Sequence, residues 1–338
     1  MDLARRVLDW VAIPSVTGRE GDYGDALARR CAEIGLAVER QELAPERFNV
    51  LARGARPRVV VCTHLDTVPG EVPIRVDREA VHGRGACDAK GPAAAMLAAV
   101  GKLLDEGEDR VGCLFTVGEE TDSAGATLAN ARLAEPWEPR FVVVGEPTGN
   151  RFVRAGKGIW KARLVARGVA GHSSQQGGPS AVHELVSCAH ALLGAEWGTH
   201  PVLGPGTLNI GTIRGGSAAN VTAEHAECEV LVRTVDSIPA VDARIAQSLT
   251  PHVRVEKLHK GYGPIEFDVP EGHEGIAIAF GTDVPYMPRW GRPLLYGPGS
   301  ILDAHTYHEK VELRSLERAV HDYEKTLRDL LARCEEPV

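Results

Sequence analysis

No apolar run in the 338 residues approaches the roughly 20 needed to span a bilayer, so no membrane partner is expected. The opening Met1-Asp2-Leu3-Ala4-Arg5-Arg6 leads into an amphipathic pattern and lacks a secretory core with a small-residue cleavage site. A cytoplasmic location is therefore the expectation. A basic surplus is missing as well: the formal charge is −8, and binding nucleic acid needs a basic face for its phosphates. There is no CxxC. The seven cysteines, at 31, 62, 87, 113, 188, 228 and 334, are scattered mostly through apolar stretches, as reduced buried thiols are and a disulfide framework is not. GxSxG, GxGxxG and GxxxxGK are all absent, which removes the usual marks of a serine hydrolase or a nucleotide-binding enzyme. No internal repeat or low-complexity segment occurs.

What is present is an ordinary globular composition, 43% hydrophobic and 25% charged, in a chain long enough for two domains. Helical spacing is read at residues 2–13 and 22–34, and strands at 36–39 and 58–63. A glycine-rich loop, Gly83 to Gly91, precedes Pro92 and a helix over 93–104. Apolar strands follow at 110–117 and 140–144, and the last helix covers 313–332. Strands alternating with helices predict an α/β fold whose sheet is mixed and mostly parallel, flanked by helices. Residues 157–260 read differently, as strand-helix-strand-strand-helix-strand, a ferredoxin-like α+β unit inserted between 1–156 and 261–338. The insert holds 10 Lys+Arg and 8 Asp+Glu, and the remainder 28 and 38. An acidic domain suited to cations thus adjoins a near-neutral insert suited to an anionic substrate.

Three apolar strands end in chemistry: Val59-Val60-Val61-Cys62-Thr63 in His64-Leu65-Asp66, the next in Glu119-Glu120, the third in Gly145-Glu146. In parallel α/β sheets, ligands collect beyond the carboxyl ends of strands. If the strand geometry persists, His64 and Asp66 share a side, and the carboxylate can hold the imidazole as metal-binding histidines are held. His64, Asp88, Glu120, Glu146 and His305 offer nitrogen and oxygen donors that divalent zinc accepts. Carboxylates converging without a cation would raise one another's pKa. Two ions, one on His64 and Glu146 and the other on Glu120 and His305 with Asp88 between them, would neutralise the cluster and clamp a water. Glu119 is then placed to take a proton from that water and pass it to a leaving amine.

These segments resemble, in order and over nearly the whole length, the co-catalytic zinc aminoacylase/carboxypeptidase family that includes acetylornithine deacetylase and succinyl-diaminopimelate desuccinylase. The matching stretches are His64 to Pro69, Gly83-Arg84-Gly85 with Asp88-Ala89-Lys90-Gly91, Glu119-Glu120 and Gly145 to Thr148. They continue through Gly171-His172-Ser173, Gly297-Pro298-Gly299, and Ala304-His305-Thr306 with Glu309. The resemblance implies the metal assignment above, with zinc or cobalt as the ion, Asp66 orienting His64 and Glu119 as general base. It implies that the insert is a lid and dimerisation domain, so that the protein is a homodimer, with His172 stabilising an oxyanion in the partner's site. Asn220 and Arg233 fall where family members contact substrate, and a guanidinium suits a carboxylate; the Gly299 loop could add backbone donors. His308 stands near His305, but His305 aligns with the family without a gap.

The resulting expectation is a dinuclear zinc amidohydrolase of an N-acyl amino acid. N-acetylornithine or N-acetylcitrulline of arginine biosynthesis leads as substrate. Carrier-bound acyl-lysine or acyl-ornithine, succinyl-diaminopimelate, and dipeptidase or carboxypeptidase action on short peptides are the alternatives. A non-catalytic binding protein on the same scaffold is the rival from another class, and the complete ligand set with Glu119 speaks against it.

Overall fold

The computed structural model describes residues 3–175 and 177–335. The chain forms two compact units. Met1–Arg154, Phe267–Ile276 and Thr282–Val338 make the first; Ala155–Glu266 and Ala277–Gly281 make the second.

At the centre of the first unit is a six-stranded sheet in which Val59–His64 lies between Val111–Thr116 and Phe141–Val144, parallel to both. Arg292–Leu295 extends it, parallel to Phe141–Val144. The far edge is an antiparallel hairpin, Ala37–Ala44 and Arg47–Arg53, whose second strand pairs antiparallel with Val111–Thr116. All residues of the three inner strands are buried, which is why they read as unbroken apolar runs rather than alternation. Each fully buried valine there contributes on the order of 1.5–3 kcal/mol.

Helices cover the sheet. Gly91–Asp105 starts with Pro92 in its first turn and is buried along most of its length; it packs with the terminal Leu313–Arg333 helix. Leu316, Ala319, Tyr323, Leu327 and Leu330 of that helix recur at helical spacing on its buried side. Leu3–Val11 and Gly21–Glu33 complete this layer structure.

The hairpin strand Arg47–Arg53 was not anticipated from the sequence. It is nearly all buried, so it lacks the alternation that marks a half-exposed strand. It also positions the site, through Asn49. The Asn49 amide donates to Gln41 Oε1 at 2.9 Å and to the Gly125 carbonyl at 2.8 Å, while its Oδ1 accepts from the Val117 N–H at 3.1 Å. One buried side chain thus holds the chain where it leaves the Val111–Thr116 strand.

In the second unit, Gly158–Arg167, Thr207–Gly215, His225–Thr234 and Val253–Lys257 form an antiparallel sheet, with Thr207–Gly215 and Val253–Lys257 at the edges. Ala181–Leu193 and Ile238–Gln247 are its helices. Trp160, Leu164, Leu185, Leu192, Val230 and Val232 are among its core. A chain return was expected at Gly261. The unit continues to Glu266 because Ile265 and Glu266 pair with Gly156 and Ala155.

Asn49→Ala should take from the buried Val117 N–H and Gln41 Oε1 the amide that pairs with both, costing about 1–3 kcal/mol. Urea unfolding read against the wild type checks this, and an unchanged midpoint would mean the amide is dispensable.

Candidate metal centre

Parallel register puts His64 opposite Thr116, so two strands end side by side. After His64 the chain bends at Leu65, and the Asp66 side chain swings toward the neighbouring turn. Its carboxylate accepts the N–H groups of Gly118 and Glu119 on Oδ1, each at 3.1 Å, and of Glu120 on Oδ2 at 3.2 Å. Thr17 Oγ1 donates to Oδ2 at 2.8 Å. Gly118 supplies the φ of +81° with which the turn begins.

The expected pairing of the Asp66 carboxylate with the His64 ring is therefore corrected in detail. His64 Nδ1 is 2.8 Å from the Asp66 carbonyl oxygen and 3.6 Å from Oδ1. The main chain of Asp66 orients the imidazole, and the side chain orients the Glu119-Glu120 turn. Donation from Nδ1 to the carbonyl leaves Nε2 as the ligand atom.

Nε2 points at Asp88. The Asp88 side chain rises from the tight turn Ala86–Lys90, and its peptide to Ala89 is cis. Asp88 Oδ1 lies 2.9 Å from His64 Nε2, and Oδ2 lies 3.2 Å from His305 Nε2. His305 Nε2 is also 2.9 Å from Glu120 Oε1. One carboxylate thus faces two histidines, one with each oxygen. His305 has a φ of +62°, a conformation that persists in a non-glycine residue only where the surroundings over-determine it. His64, Asp88 and Glu120 offer ligand atoms all within 4.8 Å of one another. Glu146 is buried at the end of its strand and acts on the same groups through its charge.

The electrostatics mark a cluster short of positive charge. Burial, then the Glu146 carboxylate, pushes Glu119 well above the usual carboxylate range. Glu146 is likewise pushed well up, by burial first, with Asp88 and Glu120 adding to it against His64. Burial raises Glu120 against the hydrogen bond from His305. Asp88 goes the other way: its burial is overcome by hydrogen bonds from His305 and His64, which hold it low. Bonds to Asp88 and Glu120 raise His305 to about 10. Two imidazoles among several buried carboxylates, with one carboxylate between them, suit two divalent cations in place of protons.

Sequence reasoning missed two groups here. Asp283 is buried, accepts from Thr116 Oγ1 at 2.6 Å, and is raised by burial to about 6. Thr17, the donor to Asp66, sits between the helices read at 2–13 and 22–34. Neither lies in a periodic segment or beside a strand end, so no sequence signal marked them. Gly299 is φ +83°, and a Cβ there would lie 2.4 Å from Cys87 Cβ. Its N–H donates to Ser315 Oγ at 3.1 Å, so that donor is already used; close packing is what the position demands. His308 enters neither the Asp88–His305–Glu120 contacts nor the His64 ones; its N–H is bonded to Thr306 Oγ1.

In the second unit, His172 and Asn220 come together: Gly171 and His172 pair with Thr222 and Val221, and the Ser173 N–H donates to the Asn220 carbonyl at 3.1 Å. Both are exposed. The Ser174 N–H points to His172 Nδ1 at 3.2 Å, making Nδ1 the acceptor and Nε2 the proton carrier. Arg233 is not part of this pair. It lies near the far end of His225–Thr234, about 26 Å along the strand from His225 at ~3.3 Å per residue. Its Nη1 is buried and has no hydrogen-bond partner among the described residues.

Residues 60–329 match peptidase family M20/M25/M40. The chain belongs to this family. It is 35% identical over 331 residues to a peptidase M20 domain-containing protein of Schizosaccharomyces pombe, covering 93% of this chain and 81% of that one. A probable carboxypeptidase of Aspergillus flavus is 34% identical over 366 residues, with 94% and 87% covered. Among solved structures, a tripeptidase of Staphylococcus aureus superposes with a TM-score of 0.78 at 22% identity, over 95% of this chain and 96% of that one. A dinuclear metal-binding M20 peptidase of Bacillus subtilis gives 0.69 at 15% identity, over 97% of each. The family assignment makes the M20 protein a metal-dependent hydrolase of amide bonds. The mostly parallel central sheet matches the M20 fold. Among the described residues no helix is long and apolar enough to cross a membrane.

Two outcomes test the geometry. Asp66→Asn turns an acceptor toward a donor at the Glu120 N–H and Thr17 hydroxyl, and metal affinity measured by competition with a chelator should fall about 10–100-fold; wild-type affinity would remove Asp66 from the site. The second concerns pH. Asp283 keeps its proton up to about 6 when folded, against ~3.9 unfolded, and Glu119 and Glu146 are raised in the same sense. The folded state then binds more protons, so this contribution is full below the unfolded pKa and is lost as pH rises through the folded one. The thermal midpoint of the metal-free protein should fall between about pH 4 and 6, and less steeply in Asp283→Asn. A midpoint that rises over this range contradicts the assigned directions.

Proposed function

We propose that this M20 protein is a two-metal hydrolase of carboxypeptidase or dipeptidase type, cleaving the amide bond that joins a C-terminal amino acid to a short acyl or peptidyl group. The observation that carries the reading is the Asp88 carboxylate with His64 on one oxygen and His305 on the other. His64 and Glu146 would hold one ion, Glu120 and His305 the second, with Asp88 shared. The mixed imidazole and carboxylate donors favour zinc, and cobalt could take the same set. Divalent ions bound there would supply Lewis acidity and a water of lowered pKa.

The protein's own groups do the rest. Glu119 stands beside Glu120 on the turn that Asp66 holds, and there it accepts the proton of the attacking water and delivers it to the departing amine. His172, whose Nδ1 accepts the Ser174 N–H, presents an Nε2–H donor for the oxyanion. Arg233, with a buried unpartnered Nη1 and a strand's length from His172 and Asn220 of its own chain, is read as the group for a substrate carboxylate, and the partner subunit's Asn220 adds a polar contact beside the partner's His172. The second unit is read as a lid and dimerisation domain, so that the partner subunit's His172 completes each site. The exposed edge strand Thr207–Gly215 supports pairing with a second copy. The seven unpaired cysteines support a reducing cytoplasm.

Relatives named as carboxypeptidases shift the substrate from the N-acetylornithine or N-acetylcitrulline expected from sequence toward small peptides. Deacetylation in arginine biosynthesis remains the same chemistry with a smaller acyl group.

Rates on dipeptides, their C-terminally amidated analogues, N-acetylornithine and N-acetylcitrulline decide between these. The proposal predicts turnover of free-acid peptides and a large loss with the amides; equal rates on acids and amides would overturn the carboxylate requirement. Glu119→Gln should keep its metal and lose about 10²–10⁴-fold in kcat. Wild-type turnover by that variant would remove the base from the scheme.

A further inference from the structure

Glu309 belongs to a motif that the catalytic scheme leaves without a task. It follows His305 by four residues and is almost fully buried, 1% exposed. Its Oε1 accepts the N–H groups of Cys87 and Asp88, each at 3.2 Å. Its Oε2 lies 2.7 Å from Arg84 Nη1, and Arg84 Nε reaches the Gly70 carbonyl at 3.2 Å. The Glu309 carbonyl in turn accepts the Gly83 N–H at 3.1 Å. The next residues, Lys310–Glu312, pair with Ala80–His82 just ahead of this loop. The turn from Gly83 to Asp88 is therefore wrapped around a single carboxylate from a segment over 200 residues away in sequence.

Both Glu309 oxygens are occupied, so Glu309 is not itself a ligand. What it fixes is the backbone from which Asp88 extends. Asp88 must offer one oxygen toward His64 and the other toward His305, and a rotation about its Cα–Cβ bond or a shift of its N–H would sacrifice one of the two. His305 and Glu309 share one loop, so the contact from Glu309 to the Asp88 N–H and the contact from His305 to Asp88 Oδ2 close a ring of chain. The Arg84 guanidinium supplies the charge that allows a carboxylate to sit there buried.

We propose that Glu309 is the positioning residue for Asp88, holding it between the two metal positions with Arg84 as its counter-charge. Its removal therefore weakens the binding of one ion far more than the other. The inference rests on the two-metal reading above.

The test is calorimetric titration of zinc into the metal-free full-length protein, wild type, Glu309→Gln and Glu309→Ala, with the thermal midpoint of each metal-free form recorded. Wild type should take two ions per chain. Glu309→Ala should keep one near wild-type affinity and bind the other roughly 100-fold more weakly. Glu309→Gln retains an oxygen for the two amides but not the charge facing Arg84, and should lose about 10-fold for the same ion. A cobalt-loaded sample should show the change in its visible spectrum, a readout that a purely structural role would leave alone. Two ions at wild-type affinity in either folded variant overturn the inference, and if Glu309→Ala does not fold, Glu309→Gln decides by itself. Fewer than two ions in the wild type would instead overturn the two-metal reading and this inference with it.

Discussion

A carboxylate that accepts three consecutive backbone N–H groups is the constraint on which the site is built. Asp66 lies at 0% exposure with Gly118, Glu119, Glu120 and Thr17 all donating to it. A carboxylate in such a place without donors would cost several kcal/mol, whereas each charge-assisted bond returns roughly 1.5–3 kcal/mol. The turn adopts the shape that satisfies the charge, and that shape aims Glu119 and Glu120. The same residue's carbonyl orients His64. One residue thereby ties the end of one strand to the turn after the next, and a ligand, a proton acceptor and a second ligand keep their relative positions.

The site so assembled is unfavourable without cations. Glu119, Glu120, Glu146 and Asp283 all titrate above their ordinary values, chiefly through burial. The surrounding sheet tolerates this because its three inner strands are wholly buried, so stability lost at the strand ends is offset along their lengths. Strain at a functional site supported by an over-determined scaffold is a common arrangement. Here it also explains why the loops are pinned so heavily: Asn49 fixes the exit of one strand, Asp66 captures three amides and Glu309 two.

Much of this was legible in the sequence, and the reasons are local. Unbroken apolar strands ending in His64, Glu119-Glu120 and Glu146 announce buried parallel strands with chemistry at their ends. Pro92 announces the start of the Gly91–Asp105 helix. The failures share a cause: they depend on contacts between distant segments. The strand Arg47–Arg53 is buried on both faces beside a charged hairpin partner, so its pattern carries no period. Alternation suggested that the Asp66 side chain would reach His64, but the bend at Leu65 ends the alternation one residue early. Thr17 and Asp283 acquire meaning only from Asp66 and Thr116. Arg233 shares its unit with His172 and Asn220, yet a ten-residue strand separates it from them. The Gly261-Tyr262-Gly263-Pro264 turn resembles a domain boundary, but pairing of Ile265 and Glu266 carries the second unit past it.

The central claim is that Asp88 stands between two cations rather than closing a proton-filled cluster. Anomalous diffraction at the zinc edge from crystals of the zinc-loaded protein tests it most directly. The account predicts two peaks about 3.5–4 Å apart, one beside His64 and the other beside His305, with the Asp88 carboxylate between them. A single peak, or peaks away from Asp88, would contradict it.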